Sequence, residues 1–244
     1  MPKRAPAEPD GNEAALLALL QAIADGRDAE VARSLDASPE LATRAVQVGA
    51  SRQVAPPFFL EHIGHYVYAG DTALHIAAGA YQADTARALI EGGAAVRARN
   101  RRGAEPVHYA AKGHPGSAHW NPEAQRGVIE LLVASGSDPD APDRSGVAAL
   151  HIAVRTRCSE AVRALLDCGA DPLLPNGNGS TPLHLAVQNT GRGDTGAEAS
   201  RQEQRQIIRV LLDHGARPTD TNAAGKTVAA STTSGWIAEI LGGS

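Results

Sequence analysis

The sequence predicts an all-α solenoid of stacked helix-turn-helix units, and three observations carry that prediction. The stretch from Gly70 to Ala78, GDTALHIAA, returns in close variants at Gly103, Gly146 and Gly179, so the leading glycines are spaced 33, 43 and 33 residues apart. Each copy is followed by a second amphipathic stretch, TARALIEGG, VIELLVASG, AVRALLDCG or IIRVLLDHG, ending at Gly93, Gly136, Gly169 or Gly215. Hydrophobic residues make up 43% of the 244 residues and aromatic ones only 3%, which suits an Ala- and Leu-rich core between thin helical layers.

Taken in order, residues 1–11 are Pro-rich and polar and are expected to be disordered. Residues 12–244 read as one domain, because no Ser/Gly linker divides the repeats. Its first part, 12–45, gives two short helices joined at Gly26 and acts as an N-terminal capping unit. An insertion at 46–66 follows, then full repeats at 67–99, 100–142, 143–175 and 176–221. The last stretch, 222–244, carries GKTVAASTTSG with Ala and Thr in place of the Leu-His core, as expected of a terminal unit whose outer face meets water.

Each repeat contains its own start and stop signals. Thr181 before Pro182 is an N-cap hydroxyl ahead of a proline at the first helical position, where the missing amide hydrogen has no consequence. Thr72 and Thr227 repeat the cap, whereas Glu105 and Ala148 replace it and predict weaker helix starts. Glycine at the end of the second helix suits a left-handed closing residue. Two repeats carry insertions between their helices. GHPGSAHWNPEAQ is closed by Asn121 and Pro122, and QNTGRGDTGAEAS by a capping box of Ser200 and Glu203. These insertions would stand about 20 Å apart and wall a notch, with His119 and Trp120 on one side and Asp194 and Glu198 on the other. They are expected to select partners without supporting the fold.

The period, the TPLH-type motif and the downstream LL..G.D motif together resemble the ankyrin-repeat family over nearly the whole chain. The resemblance implies an ankyrin solenoid with finger-like connecting loops and the role of a protein-interaction scaffold. It implies that His75, His108, His151 and His184, which share one motif position, hydrogen-bond within and between repeats. It also implies a concave binding face of finger tips and inner helices, which maps Tyr68, Asp71, Arg101, Arg102, Lys112, Arg144, Arg155 and Gln188 onto it.

The chemistry of other classes is absent from the sequence. There is no nucleophile elbow, P-loop or dinucleotide fingerprint, and NGNG at 176–179 lacks the Gly-Lys-Ser/Thr ending of a phosphate cradle, so the chain reads as a non-enzyme without a cofactor. Cys158 and Cys168 fall near opposite ends of one helix, about 15 Å apart, too far to pair, and free thiols suit the cytoplasm. Lys3 and Arg4 ahead of AALLALLQAIA look like a short export signal, but Glu8, Asp10 and Glu13 intervene and the helical spacing of Leu16, Leu20 and Ile23 favours a packed helix. No run reaches the length of a membrane span. A net charge of −4 makes no whole-chain case for nucleic acid.

The binding surface is therefore sought in local features. Arg97, Arg99, Arg101 and Arg102 form a basic run that Lys112, Arg144 and Arg155 continue, and an acidic protein surface is the matching partner. Phe58, Phe59, Tyr66 and Tyr68 place four of the chain's eight aromatic residues in eleven positions of the insertion. Phe58 and Phe59 read as a cover for the seam beside the capping unit. Tyr66 and Tyr68 read as binding residues, because aromatic rings bury much area while ordering few torsions. The leading reading is a monomeric scaffold that binds another protein through the concave face and the long first finger. Two alternatives stand beside it: a nucleic-acid-binding solenoid using the arginines, and a metal or small-molecule site around His62 and His65.

Overall fold

The computed structural model describes residues 11–51, 55–117, 120–188 and 198–242. The expectations for residues 1–10, for His119 and for Asp194 fall outside them. Among the described residues the helices form six consecutive pairs. These are α1 (Gly11–Ala24) with α2 (Asp28–Ala37), α3 (Ala73–Gly79) with α4 (Ala83–Glu91), and α5 (Pro106–Ala111) with α6 (Pro122–Ala134). They continue as α7 (Ala149–Arg155) with α8 (Ser159–Asp167), α9 (Pro182–Ala186) with α10 (Glu198–Asp213), and α11 (Val228–Ser231) with α12 (Gly235–Gly242). First helices pack on one another in chain order from α1 to α11, and the second helices from α4 to α10 form the layer behind them. No described helix is long and apolar enough to cross a membrane.

The core is one continuous band because each pair can cover its apolar stripe only with its neighbours. Leu74, Leu89, Ile129, Leu132, Leu150, Leu165 and Leu183 are fully buried along it, and the small Ala77, Ala110, Ala153 and Ala186 let the first helices approach closely. Leu150→Ala is expected to lose about 2 to 5 kcal/mol, since two flanking repeats fixed on either side limit collapse into the space. Urea denaturation checks this, and a loss below about 0.5 kcal/mol would mean that Leu150 is not a core residue.

Helix starts and repeat seams share one device. In each full repeat the motif histidine sits at the third helical position. The Nδ1 atoms of His75, His108 and His151 accept the backbone N–H of Thr72, Glu105 and Ala148 at 3.1, 3.1 and 3.2 Å. In the fourth repeat His184 Nδ1 meets the Thr181 hydroxyl at 2.7 Å instead. With Nδ1 accepting, the proton stays on Nε2, which donates at 2.9 to 3.1 Å to a carbonyl of the following unit for His75, His108 and His184 (Ala104, Val147 and Lys226), and to Leu174 at the end of its own repeat for His151. Thus α5 and α7 form without a threonine because the imidazole holds the N-cap amide. Asn121 caps α6 as its sequence suggests, accepting from the amides of Glu123 and Ala124.

One cap is corrected. The helix α10 already begins at Glu198, so Ser200 lies inside it, and Glu203 serves a different helix. Its carboxylate accepts the Ser159 amide at 2.9 Å, which caps the start of α8 in the neighbouring repeat.

The connecting fingers have a rule of their own. Asn100, Asp143, Asn176 and Asn222 each use one side-chain oxygen to accept two backbone amides, two and four residues on. Successive fingers are then stitched by single backbone bonds: Arg101 N–H to Ala69 O, Arg144 N–H to Arg102 O, Gly177 N–H to Gly146 O and Ala223 N–H to Gly179 O, at 2.7 to 3.0 Å. Gly103 shows why no side chain fits at the turn: its φ is +78° and a Cβ there would lie 2.8 Å from the Arg144 nitrogen.

Candidate functional site: the first fingers and the inserted hairpin

The insertion before the first full repeat is a small β-structure anchored at its base. Glu13 of α1, buried, accepts the amides of Gln47 and Val48 at 2.8 and 3.2 Å. Val46 exchanges backbone bonds with Gly70 and Asp71, and Ala50 donates to Val67. The strands β1 (Phe59–Leu60) and β2 (His65–Tyr66) then pair antiparallel, Phe59 opposite Tyr66 and Leu60 opposite His65. Strand alternation sorts the side chains into two faces. Leu60, His65 and Val67 turn toward the repeats, and Phe59, Tyr66 and Tyr68 turn outward.

The inward face is locked. His65 meets the ring of Tyr109 edge-on at 4.4 Å, and its Nδ1 accepts from Lys112 Nζ at 3.0 Å. Burial, followed by the adjacent ammonium, lowers the His65 pKa to about 3. Burial likewise lowers that of Lys112. An ammonium on Nδ1 leaves no place for a metal on that nitrogen, and His62 instead faces Asp25, 3.8 Å away. Among the described residues no three His, Cys, Asp or Glu side chains converge as ligands. Lys112, expected on the binding face, is therefore half-buried and engaged with the hairpin.

Two further expected binding residues are structural. Asp71 has no exposed surface. Its carboxylate accepts from the Tyr109 hydroxyl at 2.8 Å, from Asn100 Nδ2 at 2.9 Å and from the Tyr68 amide at 2.7 Å. It organises the first two fingers from inside, because a buried carboxylate must saturate its oxygens with donors. Burial, then Asp71, raises the Tyr109 phenol well above its ordinary value. Trp120 packs half-buried on the core, and its Nε1 donates to Gln125, whose own amide donates to Ala110 O. The second-repeat insertion is thus tied into the fold at that residue, contrary to the expectation that it only selects partners.

What faces solvent is a compact aromatic and cationic surface. Phe59 and Tyr66, 38% and 39% exposed, pack as a tilted ring pair with their centroids 4.7 Å apart. Phe58 packs on the core, whereas Phe59, for which the same covering role is expected from the sequence, is exposed. Next along the outward face, the Tyr68 ring is flanked by the guanidinium groups of Arg101 and Arg102 at 5.1 and 5.2 Å, and Arg102 also donates to its hydroxyl at 3.3 Å. Arg97 and Arg99, by contrast, are paired with the buried carboxylate of Glu105, Arg99 at 2.9 Å. Arg101, Arg102, Arg144 and Arg155 are exposed, and among the described residues none of the four is paired with a carboxylate. The structure brings Tyr66, Tyr68, Arg101, Arg102 and Arg144 into neighbouring positions on adjoining fingers. Arg155 lies apart, at the end of α7. Phe59 was missed as a surface residue because its adjacency to Phe58 conceals the strand alternation.

Comparison with known proteins agrees with this geometry. A segment of 96 residues is 31% identical to the B-cell lymphoma 3 protein homolog of Mus musculus and, to the same extent, to the B-cell lymphoma 3 protein of Homo sapiens. That segment is 39% of this chain and 20% of each relative, so the chain spans about a fifth of the length of the curated relatives it matches. The family model for ankyrin repeats in three copies matches residues 123–222, and the model of the single ankyrin repeat matches residues 69–101. With the motif histidines, the stitched fingers and the paired helices arranged as described, the chain belongs to the ankyrin-repeat family.

Proposed function

We propose that this chain is a non-catalytic scaffold that binds another protein at the first fingers and the outward face of the inserted hairpin, and that the partner presents an acidic surface. Ankyrin repeats are, in general, modules for binding other proteins, and the matching family models make that class the starting point. One observation carries the finer reading. Two guanidinium groups flank an aromatic ring on the exposed tip, without carboxylate partners, while the neighbouring Arg97 and Arg99 are paired with Glu105. Arginines stacked on a ring keep their N–H edges free for carboxylates, and their aliphatic and π surfaces bury area with little loss of torsional freedom. Tyr66 and Phe59 extend that surface with an apolar end.

The partner is to be captured from extract of the native host by the full chain and then measured against variants. Tyr68→Ala combined with Arg102→Ala is expected to weaken binding by more than about 2 kcal/mol, with the melting midpoint within a few degrees of the parent. Unchanged affinity would move the binding site elsewhere on the molecule. Affinity carried by nucleic acid in the captured material, falling steeply with salt, would replace the reading with a nucleic-acid-binding one.

A further inference from the structure

We infer, on the footing of the proposed partner-binding reading, that this surface takes an extended segment with an aromatic or large apolar side chain at one end and two acidic side chains three residues apart at the other. The inference rests on how the fingers are stitched and on where unpaired charge stops. Arg101 N–H bonds Ala69, the neighbour of Tyr68, and Arg144 N–H bonds Arg102, so these positions form a line across three consecutive fingers. The hairpin supplies the apolar start of that line, Phe59 packed against Tyr66. The second finger supplies the cation pair around Tyr68, and the third supplies Arg144. The line ends there, because the fourth finger carries Gly177 and Asn178 at its tip and the fifth carries Ala223 and Ala224.

Spacing converts this line into a pattern. Stacked helical units follow one another at about 10 Å, and a segment extended as a polyproline II helix rises about 3.1 Å per residue with about three residues per turn, so side chains three residues apart share one face and stand about one finger apart. Carboxylates at positions i and i+3 of the segment therefore meet the Arg101/Arg102 pair and Arg144 together. A large apolar side chain a further three residues away reaches Phe59 and Tyr66. A segment with the same charges side by side could satisfy only one finger at a time. The chemistry is that of an acidic peptide rather than of a phosphate chain, because the aromatic start has no counterpart in a uniformly charged ligand.

The test uses the purified full chain and labelled twelve-residue peptides at physiological salt, read by fluorescence anisotropy. One peptide carries a tryptophan followed by acids three and six residues on, and a second has that order reversed. A third has the composition of the first, with its acids adjacent. One of the two spaced peptides should bind at least tenfold more tightly than the adjacent-acid isomer. Arg144→Ala should remove most of that preference while changing the isomer's affinity less than threefold. Equal binding of all three peptides, no detectable binding of any at millimolar concentration, or equally tight binding of a uridine dodecamer would overturn the inference. If the peptides do not discriminate but the captured partner still depends on Tyr68 and Arg102, the spacing rule fails while the proposed function stands.

Discussion

Asp71→Ala is expected to destabilise the protein by about 3 to 6 kcal/mol, far more than the loss of a surface carboxylate. The reason is the set of groups left behind. The Tyr109 hydroxyl, Asn100 Nδ2 and the Tyr68 amide all donate to this one side chain, and Asp71, Asn100 and Tyr109 are buried. Each buried donor stripped of its acceptor retains a desolvation penalty of about 1 to 3 kcal/mol. Asp71→Asn should lose less, since its amide oxygen can still accept one or two of the three bonds. Urea denaturation of both variants decides the matter. A loss for Asp71→Ala under about 1 kcal/mol would return Asp71 to the binding face, where its position in the repeat motif suggested it belonged.

Acid should loosen the array well before ordinary carboxylates titrate. Burial, the dominant cause in each case, lowers the pKa values of His75, His108 and His151. Attraction from Asp71 opposes it at His75, and bonds to the carbonyls of Val147 and Leu174 oppose it at the other two. In the unfolded chain these imidazoles titrate near their usual value of about 6.5. Between that value and the lower folded ones the unfolded state binds more protons, so stability rises with pH and falls on acidification. The contribution is fully present above the unfolded value and is lost as the pH drops below it. At its steepest each histidine contributes about 1.4 kcal/mol per pH unit, and the three together about 4. The chemistry agrees with the sign: a protonated ring has no lone pair at Nδ1 to hold the N-cap amide. Thermal midpoints measured at pH 7.5, 6.5 and 5.5 should decline with growing slope. A flat profile across that range would mean that the rings protonate as readily folded as unfolded.

The parts of this molecule legible in the sequence are those written locally. Thr181-Pro182, the glycine after each second helix and the recurring Leu-His pair act within a few residues of themselves, so their spacing announces the helix pairs. Asp71 was misplaced because its partner Tyr109 lies on the next repeat, and nothing near Asp71 marks that bond. Trp120 was misplaced for a different reason: its indole bonds Gln125 in the following helix, whose own amide reaches Ala110 of α5, an arrangement that arises only when α6 packs back on α5. Ser200 and Glu203 had the spacing of a cap but lie within a helix that starts earlier, and the carboxylate found an amide across the repeat boundary. The finger rule was overlooked though it was legible, as N-R-R-G, D-R-S-G, N-G-N-G and N-A-A-G begin each turn with Asn or Asp three residues before the glycine.

The histidine bonds between repeats also have a direction in time. Each donor precedes its acceptor in the chain, by 29, 39 and 42 residues for His75, His108 and His184. On the ribosome, at about 5 to 20 residues per second, these three repeats therefore wait seconds with a ring nitrogen lacking its carbonyl until the next unit emerges. The first, second and fourth full repeats are each completed by a successor, and their folding during synthesis should trail translation by one unit. The sixth unit has Ala230 where the four full repeats have histidine, so it closes the Lys226 bond from His184 without opening another of the kind.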